Sequence, residues 1–121
     1  MICAFLVALT ISVVNPFIGS SGHGHVFVGA DVPHGQVHAG PMNVTQGWDW
    51  CSGYHSSDST FAGFAQTRLN GTGVADYGDV LLRPQTTDTY EPNGFFLKST
   101  EKCTPGFYEV VLLNGVKAKV T

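Results

Sequence analysis

The sequence predicts an all-β chain of many short strands, and three observations carry that reading. Asn114-Gly115 separates two apolar runs, Tyr108 to Leu113 and Val116 to Thr121. No segment keeps helical periodicity over three turns. Glycine is abundant, at 15 of 121 residues, and Gly, Pro and Asn interrupt short apolar runs at close intervals, as many short strands joined by tight turns require.

Met1 to Val14, MICAFLVALTISVV, is too short to span a bilayer. Its length and apolarity match the h-region of a signal peptide, and Thr10-Ile11-Ser12 offers small residues for cleavage after Ser12. It lacks the Lys or Arg of an ordinary n-region, so a first β-strand or a start inside a longer protein are the competing readings. Residues 15–121 are expected to form one modest domain. Within it, Asn15 to His25 is turn-rich, and Val26-Phe27-Val28 is a short apolar run closed by Gly29 and Pro33. A short strand is expected near Val37, another over Phe61 to Phe64, one at Val80-Leu81-Leu82 stopped by Pro84, and one opening at Phe95-Phe96-Leu97. The last hairpin is the clearest element. Asn-Gly suits a type I′ turn, which needs positive φ at both central residues, and Val116 to Thr121 alternates apolar with polar side chains. That second arm reaches Thr121 with no closing turn, so the polypeptide is expected to continue.

Composition narrows the function. A hydrophobic content of 43% with 12% aromatics is that of a folded chain, not a disordered one. Charged residues make up 12%, about half the usual share. A net charge of −3 gives no electrostatic footprint for nucleic acid. Lys98, Lys102, Lys117 and Lys119 are spread among apolar positions, as on a solvated strand face. Cys3, Cys51 and Cys103 show no paired-ligand spacing. Cys51 and Cys103 can pair only if their backbones approach closely, and two buried free thiols are the simpler expectation.

Gly47 to His55, GWDWCSGYH, is the most unusual stretch. Trp, Asp, Tyr and His combine flat or apolar bodies with polar tips, and flanking glycines allow sharp turns. Such a loop can cover a sugar face and bond its rim; equally, it can be an aromatic corner plugging a sandwich end. His23 and His25 are two apart and share a face if extended, and His34, His38 and His55 can be imagined completing a metal cluster. The glutamate such a cupin-like motif wants is missing, which favours loop histidines bonded to backbone or ligand. Asp76 and Asp79 are the nearest approach to the paired carboxylates of glycoside hydrolysis, yet aspartates beside glycine more often cap turns. Asn43-Val44-Thr45 and Asn70-Gly71-Thr72 match the N-glycosylation pattern.

Four blocks resemble glycoside hydrolase family 92, the calcium-dependent exo-acting α-mannosidases. NPFIGSSGHGHVFVGADVP, from Asn15 to Pro33, looks like the family's NPFIGTGGHGHTFPGATVP. GWDWCSGYHSSDST, Gly47 to Thr60, is similar to GWDWCSGYHYSDST, and NGTGVADYGDVLL, Asn70 to Leu82, to SGTGCGDYGDILL. KCTPGFYEVV with VKAKVT, Lys102 to Val111 and Val116 to Thr121, looks like KASPGYYSV followed by IKAELT. The chain departs from the family at Ala65-Gln66-Thr67-Arg68, where the family shows Ser-His-Thr-His, at His34, at Val74-Ala75, and at FLKSTE from Phe96 to Glu101.

The resemblance implies an N-terminal β-sandwich packed on a C-terminal (α/α)6 barrel, with the active site between them. It implies a secreted or periplasmic enzyme that removes terminal mannose, α-1,2-linked, from glycans with inversion. Catalytic acid, base and calcium ligands are then expected outside this chain, which alone should be inactive. Its partners would be a mannose-containing glycan and the C-terminal domain, with no nucleic acid and no membrane. Substrate contact is assigned to Trp48, Asp49, Trp50, Tyr54 and His55, with His23 and His25 behind them. The alternative is a stand-alone carbohydrate-binding sandwich module.

Overall fold

Alternation along the Phe107-to-Leu112 run is the sequence feature that places the core. Tyr108 and Val110 are fully buried and Leu112 nearly so, with the residues between them turned outward, as the two-residue period of a strand dictates. This run is part of a computed structural model that describes residues 13–30, 37–66, 69–75, 80–89 and 94–121. The expected leader lies outside the described residues except for the exposed Val13 and Val14. So do His34, Asp76 and Asp79.

The described strands are β1 (Gly40–Met42), β2 (Thr60–Phe61), β3 (Gly63–Ala65), β4 (Leu81–Leu82), β5 (Gly94–Phe95), β6 (Lys102–Thr104), β7 (Phe107–Val111) and β8 (Lys117–Val120). They form antiparallel sheets in the orders β1-β3-β4, β2-β5 and β6-β7-β8. The second and third sheets are stitched together where Phe96 bridges Leu112 and Leu97 N–H donates to the Val111 carbonyl at 2.9 Å. The all-β antiparallel sandwich is therefore realised, with two short 3₁₀ turns at Trp48–Trp50 and Lys98–Thr100 as its only helical elements among the described residues.

Aromatic rings join the layers. Phe61, fully buried, meets Phe64 and Phe96 edge-on at 5.2 and 5.0 Å, and Phe64 reaches Tyr108 of the facing sheet at 6.2 Å. Val28 completes the same core at 0% exposure although Val26-Phe27-Val28 forms no strand.

Three local expectations need correction. The strand expected near Val37 lies at Gly40–Met42, and Val37 is an exposed bend. The run from Phe61 to Phe64 is two strands in two sheets, because Ala62 N–H turns to the Met42 carbonyl at 2.8 Å. The final hairpin has a three-residue loop, not a type I′ pair. Gly115 N–H donates to the Leu112 carbonyl at 2.9 Å, Leu112 N–H closes the ladder on Val116, and only Gly115 of the loop has positive φ, at 87°. A turn followed by one left-handed residue is the usual three-residue solution.

Cys51 and Cys103 are both free; Cys51 is buried but Cys103 only partly so. Burial first, and then Glu101, push the Cys103 thiol up to about 11, so it stays protonated at neutral pH. A polar group also sits in the apolar core. Glu101 Oε1 accepts from the hydroxyls of Tyr54 (2.7 Å) and Tyr108, and its Oε2 pairs with Lys98 Nζ at 3.1 Å. Burial, followed by the Glu101 charge, raises both tyrosine hydroxyls well above the ordinary phenol range. An acid whose folded value is raised contributes stability that is intact below its unfolded value and is lost as pH rises.

Two predictions follow from this packing. Stability should fall above about pH 10, where unfolded tyrosine ionises; the denaturant midpoint of the intact protein should drop there, and less steeply in Tyr54→Phe. Gly115→Ala should cost about 1 kcal/mol from left-handed strain alone, since an added Cβ meets nothing within 4 Å. Gly115→Asn should lose less, both read from the thermal midpoint.

Candidate functional site

Between β1 and β2 the chain leaves the sheet as a long loop, and two buried polar residues close its base. Asn43, with no solvent exposure, donates through Nδ2 to the carbonyls of Thr60 (2.6 Å) and Asp58 (3.3 Å). Its Oδ1 accepts from the His55 N–H at 2.6 Å, and its own N–H donates to the Gly53 carbonyl at 2.8 Å. Asp58 forms the other side. Its carboxylate accepts from Thr60 N–H, Thr60 Oγ1, Gln46 Nε2 and Trp50 Nε1, all within 2.9 Å. The Asn43 amide at its centre would otherwise need water in a place that excludes it.

The clamp fixes the 3₁₀ turn Trp48–Trp50, whose middle residue is Asp49. His23 Nδ1 lies 2.6 Å and His25 Nε2 3.3 Å from the same Asp49 oxygen, Oδ1. A carboxylate only accepts, so each ring nitrogen facing it bears the proton, and neither histidine engages Oδ2. The His23 hydrogen bond holds the Asp49 carboxyl below its ordinary value; desolvation opposes this and His25 adds to it.

His25 itself is buried and adopts φ 53°, a left-handed conformation uncommon outside glycine and one that marks functional sites. Gly71 N–H donates to its carbonyl at 2.6 Å. Beside this trio Trp48 is 61% exposed. Its ring meets His25 edge to face at 4.2 Å and His23 at 5.7 Å, and its Nε1 donates to the Gly73 carbonyl at 2.7 Å. Gly73 has φ +69°, and a Cβ there would sit 3.0 Å from the indole Cζ2.

The seven residues singled out from sequence therefore separate into three groups. Trp48, Asp49 and His23 form one open surface, and buried His25 backs it through its bond to Asp49. Trp50 and His55 stack on each other at 4.6 Å behind it, with His55 further tied to Ser57 and the Gly22 carbonyl. Tyr54 is 1% exposed and points into the core towards Glu101 and Lys98, so a surface contact by its side chain is not what this fold provides. The hydroxyl of a tyrosine satisfied by a buried carboxylate has no reason to face solvent.

Asn43 and Asp58 are the residues that reading the sequence missed. The signal was present in Asp58-Ser59-Thr60, where an aspartate bonding the N–H two residues on is an Asx turn.

Among the described residues no three His, Cys, Asp or Glu side chains are arranged to hold a metal ion. His38 lies against the Phe27 ring and His55 against Trp50, apart from His23 and His25. Two imidazoles and one carboxylate are also a poor donor set for calcium, which takes six to eight oxygens. No helix among them is long and apolar enough to cross a membrane.

The antiparallel sandwich thus brings an exposed indole, a carboxylate and an exposed histidine from two separate segments together, with a second, buried histidine bonded to the same carboxylate. Residues 13–121 match the family model of the glycosyl hydrolase family 92 N-terminal domain. The chain belongs to this family. It is similar to a family GH92 α-mannosidase from Bacteroides thetaiotaomicron solved in complex with mannoimidazole, at 32% identity and a TM-score of 0.85, covering 92% of this chain and 16% of that one. A second structure of that enzyme gives 34% identity, TM-score 0.85, and coverage of 92% and 17%. An uncharacterized secreted glycosidase of Arthroderma benhamiae is 26% identical over 119 residues, 89% of this chain and 15% of that protein. The chain thus spans less than a fifth of the length of these relatives.

Two outcomes are expected of this site. Asn43→Ala should destabilise the intact protein by ~2–4 kcal/mol, because it strands the His55 N–H and two carbonyls without partners; chemical denaturation measures it. Asp49, with its folded value lowered, contributes stability that is present above about pH 4 and lost as pH falls through that lowered value. Asp49→Asn should therefore flatten the acid limb of the stability profile below about pH 4.

Proposed function

We propose that the polypeptide to which this domain belongs is an exo-acting α-mannosidase that removes terminal mannose, α-1,2-linked, from glycans with inversion. The carrying observation is the open surface of Trp48, Asp49 and His23, with buried His25 holding Asp49 from behind, in a domain similar to that of an α-mannosidase solved with mannoimidazole. In this reading the chain supplies a wall of the sugar site. Acid, base and calcium ligands lie on polypeptide outside it, and it hydrolyses nothing alone. Secretion or a periplasmic location belongs to the same proposal, supported by the secreted Arthroderma benhamiae relative.

The chemistry of the wall is simple. The indole face covers the apolar C–H face of a pyranose, while its N–H, committed to Gly73, fixes its tilt. The Asp49 oxygen left free by the histidines accepts from a sugar hydroxyl, and exposed His23 is within the same group of polar tips. Because both histidines hold the carboxylate beforehand, little reorganisation accompanies sugar binding. Contacts fixed in this way favour the flattened, oxocarbenium-like ring over the ground-state chair when they are better aligned to it.

The test is turnover of an aryl α-mannoside by the full-length protein. Trp48→Ala should lower kcat/KM roughly tenfold to a hundredfold, the effect of removing ~1.4–2.8 kcal/mol of aromatic contact. A calcium chelator should abolish turnover, and the 121-residue chain should show none. Wild-type kcat/KM in Trp48→Ala would sink the assignment of this surface. Calcium-dependent turnover by the chain alone would sink the placement of the catalytic groups.

A further inference from the structure

Two tripeptides in this chain match the acceptor pattern for N-linked oligosaccharides, and the fold treats them in opposite ways. Asn43 has no exposed surface, and both hydrogens of its Nδ2 are directed at carbonyls, those of Asp58 and Thr60. Attaching a sugar there removes one of these hydrogens and inserts a pyranose where not even water fits. Asn70 is exposed, and so are Gly71 and Thr72 of its tripeptide. A Cβ placed on Gly71, at φ +74°, would meet nothing within 4 Å, so the space around the acceptor is open. Asn70 holds its loop through Oδ1, which accepts the Phe27 N–H at 2.9 Å. That is the amide atom a glycan leaves untouched.

We propose that Asn70 is an N-glycosylation site and that Asn43, despite its matching tripeptide, is not. The reaction requires a lipid-pyrophosphate-linked oligosaccharide as co-substrate. The Asn70 amide nitrogen attacks the anomeric carbon, the N–C bond forms as the bond from that carbon to the pyrophosphate oxygen breaks, the nitrogen gives one proton to a base, and lipid pyrophosphate leaves. The remaining Nδ2 hydrogen and Oδ1 stay on the side chain, so the contact to Phe27 survives. At Asn43 the same reaction on the nascent chain destroys the clamp that closes the loop, so chains modified there do not reach the folded state. The glycan on Asn70 then grows from the loop whose Gly73 carbonyl anchors Trp48.

The experiment uses the full-length protein purified from its own source. Treatment with a peptide N-glycosidase in heavy-oxygen water, followed by peptide mass spectrometry, labels each asparagine that carried a glycan. The expected result is label at Asn70 and none at Asn43. Unlabelled Asn70 overturns the proposal; label at Asn43 in folded protein overturns it equally. In a glycosylating secretory host, Thr72→Ala should remove one glycan's mass while leaving the Asn70 amide in place. Asn70→Gln should remove the same mass, and Asn43→Gln should change none. A glycan that persists in Thr72→Ala would overturn the assignment.

Discussion

The clamp formed by Asn43 and Asp58 is the constraint on which the site depends. Loops of this length are costly to order, because each residue fixed gives up about 1–2 kcal/mol of backbone entropy. Here the ordering comes from buried hydrogen bonds whose loss would strand polar groups away from water. Asn43 ties the two ends of the loop to each other and to the His55 backbone, while Asp58 gathers Gln46, Trp50 and Thr60 around one carboxylate. With the base closed, Asp49 has one place to be, and the two histidines of the preceding segment can converge on it.

Tyr54 shows how the loop is joined to the body of the sandwich. Its ring lies among Phe17 and Phe96, and its hydroxyl reaches the Glu101 carboxylate shared with Tyr108 of β7. The polar cluster is therefore the far end of the same lever whose near end is Trp48. Burying a carboxylate is expensive unless its lone pairs are filled, and here two phenols and Lys98 fill them. Lys98 and Glu101 of this cluster both come from one segment, Phe96 to Glu101.

Much of the fold was legible because alternation and turn chemistry are local. The strand at Leu81–Leu82 and the alternation of Lys117–Val120 follow directly from side-chain order. The one-residue error in the last loop arose because Asn-Gly suits two hairpin geometries, and the choice between them rests on which residues across the strands face the core. The shift from Val37 to Gly40–Met42 has a related cause: β1 is placed by its pairing with β3, far away in sequence. At the site, the cluster of Trp48, Asp49, His23 and His25 lay within the residues singled out, because their chemistry is unusual wherever they sit. Tyr54 was misplaced by proximity, since neighbours in a turning loop can face opposite ways. Asn43 was legible only as a modification tripeptide, because a buried amide and an exposed one look alike in one dimension.

The close packing of Gly73 against Trp48 has a consequence for how such a domain can diverge. Any side chain at that glycine would push on the indole's six-membered ring from behind, and the loop would have to rearrange to keep the Nε1 bond. The ring's angle is thus set by a residue with no side chain of its own. A lineage can reset the tilt of this indole by altering its backing, with Trp48, Asp49, His23 and His25 all unchanged, and a comparison restricted to those four would miss the event.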